Sequence, residues 1–457
     1  MLDQKTRELL KKVRDEAAEK GVSASFTIHR EKSHLMRIGN SSVSLNTSEE
    51  LTRLDLRVVD GRREGTHTHL VELDDPDTAR EALDVAVKKA AMAAEKSYQP
   101  LSETVEDDMD ESPQFDSALA NLDPAEKAEA YAEIFSRTGD RYNYSGSWSS
   151  GVTEIYMVST ANEREAYHVG TDQLFSVVLK DPDGSWELRD DQTGWRFDQF
   201  SVDDTVRRLT SLLPVFRNNR GFRVDEGEYT VVLGSGALSE IVSFAVFTGM
   251  NGRMWEENQG WTSDRKPGER IVGDNLTVID DPGNENTFRF GFDLAGKTRK
   301  SFPLIEKGVF KNLMYDISSA ARFGKEPTGH HTRSPSMVIG TGDGPGDPLQ
   351  AVADEPRVLW IPALHYMNMP SISRGIFTGS SRFNALLVEN GEIVSPIFST
   401  RITDSFQNVL NNVRTLSSTE VSENGSSTYA RRAPVAMAVP SYAVIEGVKI
   451  TDCAESF

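Results

Sequence analysis

Few residues in this 457-residue chain are placed to do chemistry, and its 8 histidines are the first to weigh. His67 and His69 stand two apart in a segment with strand character, so their rings share a face and could chelate a metal; an exposed strand pair is the plainer alternative. His330 and His331, with Arg333, fall in a glycine-containing loop, where simple solvation is the plain reading. His365 and Asn368 follow the apolar run at 358–361 at a strand end, a common position for binding residues, although a satisfied buried histidine would look the same. Among the carboxylates, Glu240 stands near the start of a helix that follows the apolar strand 229–233 and a Gly-Ser-Gly turn. There the helix dipole favours a negative charge without any catalysis. No Gly-x-Ser-x-Gly elbow with His and Asp partners occurs. A hydrolase acting alone would therefore need another nucleophile, or a metal held by His330, His331 and His365.

Positioning such residues requires elements, and hydrophobic spacing supplies them. Leu9, Leu10, Val13 and Ala17 recur at helical spacing over 4–20, while 23–43 alternates as a strand pair. Segments 54–59 and 66–72 read as two further strands joined at Asp60-Gly61. Asp75 as N-cap and Pro76 at the first helical position open an alanine-rich helix that runs to about residue 97. The acidic stretch 104–117 is expected to be a solvated connector. A second capped helix starts at Asp123-Pro124 and continues to about residue 137. Strands dominate 143–189, and a helix over 202–213 is stopped by Pro214. Beyond Gly227 the pattern is short strands with Gly and Pro turns, interrupted by the helix carrying Ser239 and a shorter one at 317–323. The expected fold is α+β. Residues 1–222 form an N-terminal α/β half, and residues 223–457 form a β-rich C-terminal domain carrying one long helix.

Composition narrows the partners. A net charge of −20 and the lack of an extended basic patch argue against a nucleic-acid binder. A single cysteine excludes a disulfide framework, and the first twelve residues are charged and amphipathic where a signal peptide would be apolar. No apolar run approaches the roughly 20 residues that span a bilayer. No membrane association is expected, and the cytoplasm is the expected location.

Ordered short motifs extend along nearly the whole chain. They are Ile38-Gly-Asn-Ser-Ser, Leu56-Arg-Val-Val-Asp-Gly-Arg-Arg-Glu-Gly, Gly273-Asp-Asn-Leu-Thr-Val-Ile-Asp-Asp-Pro, Leu304-Ile-Glu-Lys-Gly-Val-Phe, the Thr-Gly-His-His-Thr-Arg of 328–333, Ser373-Arg-Gly-Ile-Phe and Val388-Glu-Asn-Gly-Glu-Ile-Val-Ser-Pro. In this order they resemble the TldD/PmbA family, also called modulators of DNA gyrase, whose members pair as a zinc subunit, TldD, and a metal-free subunit, TldE or PmbA. The acidic composition argues against taking that older name as DNA contact. In the family's zinc subunit the helix after the Gly-Ser-Gly turn carries H-E-x-x-x-H, and a cysteine in a C-G-K-like turn is the third ligand. Here the matching positions read Ser239, Glu240 and Phe244, and alignment of 434–440 with the family's closing strand puts the cysteine position near Ser426. Cys453 lies well past that register and reads as an incidental tail thiol.

The resemblance implies the TldE side of the pair: no catalytic residue and no metal in this chain, with zinc expected in a TldD-like partner. It also implies a shared chamber that admits extended, unfolded peptides, held by main-chain hydrogen bonds to edge strands. His330, His331, Arg333, His365 and Asn368 are then the expected substrate or partner contacts. A stand-alone hydrolase and a peptide-binding homodimer are the alternatives.

Overall fold

Period-two alternation in the first two hundred residues builds one large sheet. The computed structural model describes residues 1–70, 75–331, 336–425, 431–434 and 436–457. The strands are β1 (Ser23–Gly39), β2 (Ser42–Asp60), β3 (Arg63–Leu70), β4 (Met109–Gln114), β5 (Asn143–Ser159), β6 (Glu165–Lys180) and β7 (Glu187–Gly194). Their order is β3-β2-β1-β5-β6-β4, with β7 also paired to β6. Residues 23–43 are thus not a self-contained strand pair, and 54–59 is only the end of a longer strand. β1 runs 17 residues into a tight turn at Asn40 and Ser41, both at positive φ, and β2 runs 19 residues back. The turn at Gly61, with φ 55°, falls where the sequence places it, because glycine takes that conformation without steric cost. Residues 71 and 72 of the strand expected over 66–72 lie outside the described residues.

Helices α1 (Gln4–Glu19) and α2 (Pro76–Met92) lie on one part of this sheet and bury Leu10, Val13, Ala82 and Ala86 against Phe26, Ile28, Leu54 and Leu56. Asp75 caps α2 as expected, its carboxylate accepting the Asp77 N–H at 2.9 Å; the helix ends at Met92, sooner than its composition implies. A short α3 (Ser117–Ala120) precedes α4 (Pro124–Thr138) and α5 (Val202–Asn218), which cover the other end of the sheet around Tyr131, Trp148, Phe175 and Leu209. Pro214 sits inside α5 and does not end it. The buried stripe Leu209, Leu213, Phe216 continues past the proline, and this packing outweighs an internal proline's cost of about 3 kcal/mol.

The C-terminal half is sheet-rich. β8 (Gly227–Gly234) lies in a nine-stranded sheet, antiparallel to Tyr442–Cys453 and parallel to Val358–Ile361. A six-stranded sheet runs through Phe302–Glu306, Val278–Asp280, Met337–Ile339, Ala436–Pro440 and Glu420–Asn424. Helix α6 (Ser235–Gly249) shares one core with both sheets through Leu238, Ile241, Val242, Ala245 and Val246, as its nearly all-round apolar sequence requires. The short helix Ile317–Phe323 appears where the sequence puts it. Cys453 is no tail residue: it ends a strand opposite Thr400, is buried, and its sulfur accepts the Val224 N–H at 3.4 Å. Among the described residues no helix is long and apolar enough to cross a membrane.

The acidic stretch 104–117 departs furthest from expectation, because it seams the two halves together. Val105 is buried with Ile155, Met157 and Phe292. Glu106 accepts the Thr298 N–H and the Lys297 ammonium, each at 3.0 Å, and Glu111 accepts the Gly291 N–H at 2.8 Å. Gln114, 2% exposed, donates to the carbonyls of Thr287 and Glu285 at 2.7 and 3.2 Å and accepts the Arg289 N–H at 2.8 Å. Its charges are used against backbone donors more than a hundred residues away, which no local pattern reveals. Gln114→Ala strands these backbone groups, so a loss of about 2–3 kcal/mol is expected in urea unfolding; a loss under about 0.5 kcal/mol, the surface norm, would show the seam is not structural.

Candidate functional site

On β1, Phe26 and Ile28 point into the core under α1 and α2, while Ser25, Thr27, His29 and Glu31 occupy the opposite face and are nevertheless buried. A polar strand face that is buried must meet other protein or enclose a site. Register sets His29 opposite Ile155, Ile155 opposite His168, and His168 opposite Glu111, a single row across four strands. The extended run Phe288-Arg289-Phe290-Gly291-Phe292 closes over it, together with Leu294, Ile317, His330, His331 and residues 431–434. Between them lies a cavity of about 450 Å³.

The polar groups of this wall are largely neutralised. His168 Nδ1 lies 2.8 Å from Glu111 and its ring meets Phe290 edge-on at 4.7 Å. His330 Nδ1 lies 2.6 Å from Asp280 and its ring stacks on Phe302 at 4.4 Å. Asp280 also receives Arg299 at 2.6 Å, and Arg299 donates to the Phe290 carbonyl at 2.8 Å. Arg431 grips Asp55 at 2.5 and 3.1 Å, and Arg432 grips Asp172 at 2.7 and 2.5 Å. Burial pushes the Glu103 carboxyl up, with Arg57 and the Ser25 hydroxyl opposing, and burial likewise raises Asp293 against the N–H groups of Lys297 and Ala295.

The buried Thr153 hydroxyl and His29 are exceptions to this pairing, and His29 is the titratable one. It is 4% exposed, and among the described residues its Nε2 has no hydrogen-bond partner. Burial first, then Arg431, hold its pKa down to about 4, with Glu31 opposing. The unfolded chain therefore takes up a proton below the ordinary value of 6.5 while the folded chain does not until about 4. Stability is fully present above pH 6.5 and falls as pH drops through that window, by up to about 3 kcal/mol. His29→Phe is expected to flatten this acid limb in urea titrations between about pH 7 and pH 4. An unchanged limb would put the proton uptake elsewhere.

The other sequence-derived candidates scatter. Ser239, Glu240 and Phe244 lie on α6 and do not line the cavity. The Ser239 hydroxyl donates back to the Gly236 carbonyl at 2.9 Å, and Phe244 packs against the C-terminal core. Burial lifts Glu240 to about 7. At the start of the same helix the Ser235 hydroxyl donates to Glu423, whose pKa burial also lifts to about 7. A hydroxyl committed to backbone and a phenyl ring supply no zinc ligand, so these positions do not fit the metal. Ser426 and Arg333 lie outside the described residues. His330 and His331 do border the cavity, the first buried and the second exposed. His365 does not join them: on the edge strand Leu364–Ser371 its Nε2 lies 2.9 Å from Arg382, while Asn368 on the same strand is exposed and accepts the Met369 N–H at 2.7 Å. His67 and His69 lie on β3 at a sheet edge, ring centres 5.8 Å apart, with His67 against Lys89. Among the described residues no three His, Cys, Asp or Glu side chains stand together as a metal group. His29, Glu103, His168 and Asp293 were not found from sequence. The available signals were the alternating polar residues of β1 and the alternating phenylalanines at 288, 290 and 292.

A helix packed between two sheets over 227–453 defines the class. Residues 226–452 match the PmbA/TldA metallopeptidase C-terminal domain. The chain belongs to the TldD/PmbA family, a metallopeptidase-like group. Over 166 residues it is 28% identical to an uncharacterized protein of Methanocaldococcus jannaschii, and over 163 residues 26% identical to a metalloprotease of Methanothermobacter thermautotrophicus. These matches take in 35% and 32% of this chain and only 38% and 34% of the relatives' lengths. Whole-chain likeness in fold is stronger. TldE from Thermococcus kodakarensis superposes with a TM-score of 0.83 at 17% identity, covering 97% of this chain and 100% of that one. A proposed modulator of DNA gyrase from Bacteroides thetaiotaomicron gives 0.81 at 17% identity, covering 99% and 100%.

Proposed function

We propose that this chain is the metal-free subunit of a heteromeric zinc metallopeptidase that cleaves or matures unfolded peptides. The observation that carries this reading is α6: it keeps the framework of a zinc helix and Glu240, but presents the inward-bonded Ser239 hydroxyl and the core-packed Phe244 ring where imidazoles would be needed. Zinc and the water it activates then belong to a TldD-like partner. This chain's part is to bind and orient the peptide. The edge strand Leu364–Ser371, carrying His365, Asn368 and a Tyr366 that is 83% exposed, offers main-chain groups to an extended segment. A single cysteine suits a reducing compartment, the cytoplasm.

The test is metal analysis and peptide cleavage with the purified chain, alone and mixed with a zinc-binding family member from the same source. A zinc-free, inactive chain that co-elutes with the partner and is required for cleavage in the mixture is the expected result. Stoichiometric metal, or chelator-sensitive cleavage by the chain alone, would overturn the reading.

A further inference from the structure

We infer that the cavity between the N-terminal sheet and the 288–292 run is a binding site for an uncharged aromatic group bearing one hydrogen-bonding atom, a phenol or an indole, presented by a peptide side chain or by a free small molecule. This stands apart from the subunit reading, since it concerns residues away from α6 and is measured on the chain alone. The space, about 450 Å³, falls within the range of roughly 300–1,000 Å³ typical of small-molecule sites. Phe288, Phe290 and Phe292 give it an aromatic wall, and Leu294 lines it while leaving 56% of its own surface exposed. Flat rings pack on such a wall edge-on or offset, as His168 already does on Phe290.

Charge is disfavoured there. Arg299, Arg431 and Arg432 are each already committed to a carboxylate, so an anion would have to break an existing pair. A cation would meet Glu103 and Asp293, both of which burial biases toward their neutral forms. What remains open is hydrogen bonding. The His29 imidazole borders the cavity, is almost fully buried, and uses its Nε2 on nothing among the described residues. Buried polar groups left unpaired are rare and costly, and a hydroxyl or N–H brought by a ligand would satisfy this ring.

The experiment is calorimetric titration of the full chain, without zinc or partner, using N-acetyl-tyrosinamide, N-acetyl-phenylalaninamide, the charged N-acetyl-tyrosine and a capped pentapeptide with one central tyrosine. The tyrosine amide should bind more tightly than the phenylalanine amide, and the charged form about tenfold more weakly or not at all. In His29→Phe the tyrosine amide should lose about tenfold in affinity while the phenylalanine amide changes by less than about threefold. Leu294→Asp, at an exposed position, should weaken both without unfolding the chain. If the pentapeptide binds as well as the amide, the source is a peptide side chain; binding of the small amides alone points to a free ligand, and both results support the site. Absence of saturable binding by either amide, or affinities unmoved by both substitutions, overturns it.

Discussion

Asp280→Ala will cost the fold about 3–5 kcal/mol, the range seen when one partner of a buried ion pair is removed. Asp280 is 0% exposed and holds two groups at once, Arg299 and His330, each at 2.6 Å. Arg299 is itself 6% exposed, so little water is at hand to replace its carboxylate. The asymmetry follows from desolvation: the pair gains little over an apolar substitute, but a buried guanidinium deprived of its Asp280 carboxylate is expensive. Asp280→Leu combined with Arg299→Met should recover much of the loss, whereas Asp280→Ala alone should not. Urea midpoints of the three proteins check this. A single mutant within about 1 kcal/mol of wild type would mean that water reaches the pair.

Arg432→Met is expected to have the next largest effect, about 3 kcal/mol at neutral pH, by leaving Asp172 buried without its guanidinium. A second buried group modulates the outcome. Lys127 is 1% exposed, donates to the Ser150 hydroxyl at 2.7 Å, and is held down to about 7 by burial first and Arg432 second, against Asp172. Between pH 7 and 10.5 the unfolded lysine keeps a proton that the folded one has lost, so wild-type stability rises with pH across that window. Without Arg432 the folded Lys127 titrates higher and can stand in as counter-ion to Asp172. Its share of that rise shrinks, and the gap between variant and wild type should widen from about pH 7 to about pH 9.5. Lys127→Met, which removes the titration, should flatten the rise in the wild-type background. A gap constant with pH would show that the two cations do not communicate.

What could be read from the sequence was what is local. Asp75 and Asp123 cap their helices through carboxylate contacts two residues away, and α6 follows an apolar strand, although Ser235 and Gly236 of the expected Gly-Ser-Gly turn already belong to the helix. Pro214 misled because the rule against internal proline is also local, whereas Phe216 answers to Trp186 across the core. The acidic stretch misled for the same reason: Glu106, Glu111 and Gln114 find hydrogen-bond partners in 287–299. In the candidate site, His330 stood out because it adjoins a second histidine and an arginine. His29 did not, since Ser25, Thr27 and Glu31 on the same face look like a solvated edge until another domain's worth of chain is laid over them.

β8 has a kinetic corollary. It is a central strand whose neighbours, Val358–Ile361 and Tyr442–Cys453, lie more than a hundred and more than two hundred residues downstream, so it cannot be seated until both long loops close. Topologies of this kind fold slowly and expose unpaired strand edges meanwhile. The cavity inherits the same schedule, because its walls come from positions as far apart as His29 and Pro434. It is complete only when those distant segments are in place, so a molecule that fills it draws the chain, by mass action, toward completion.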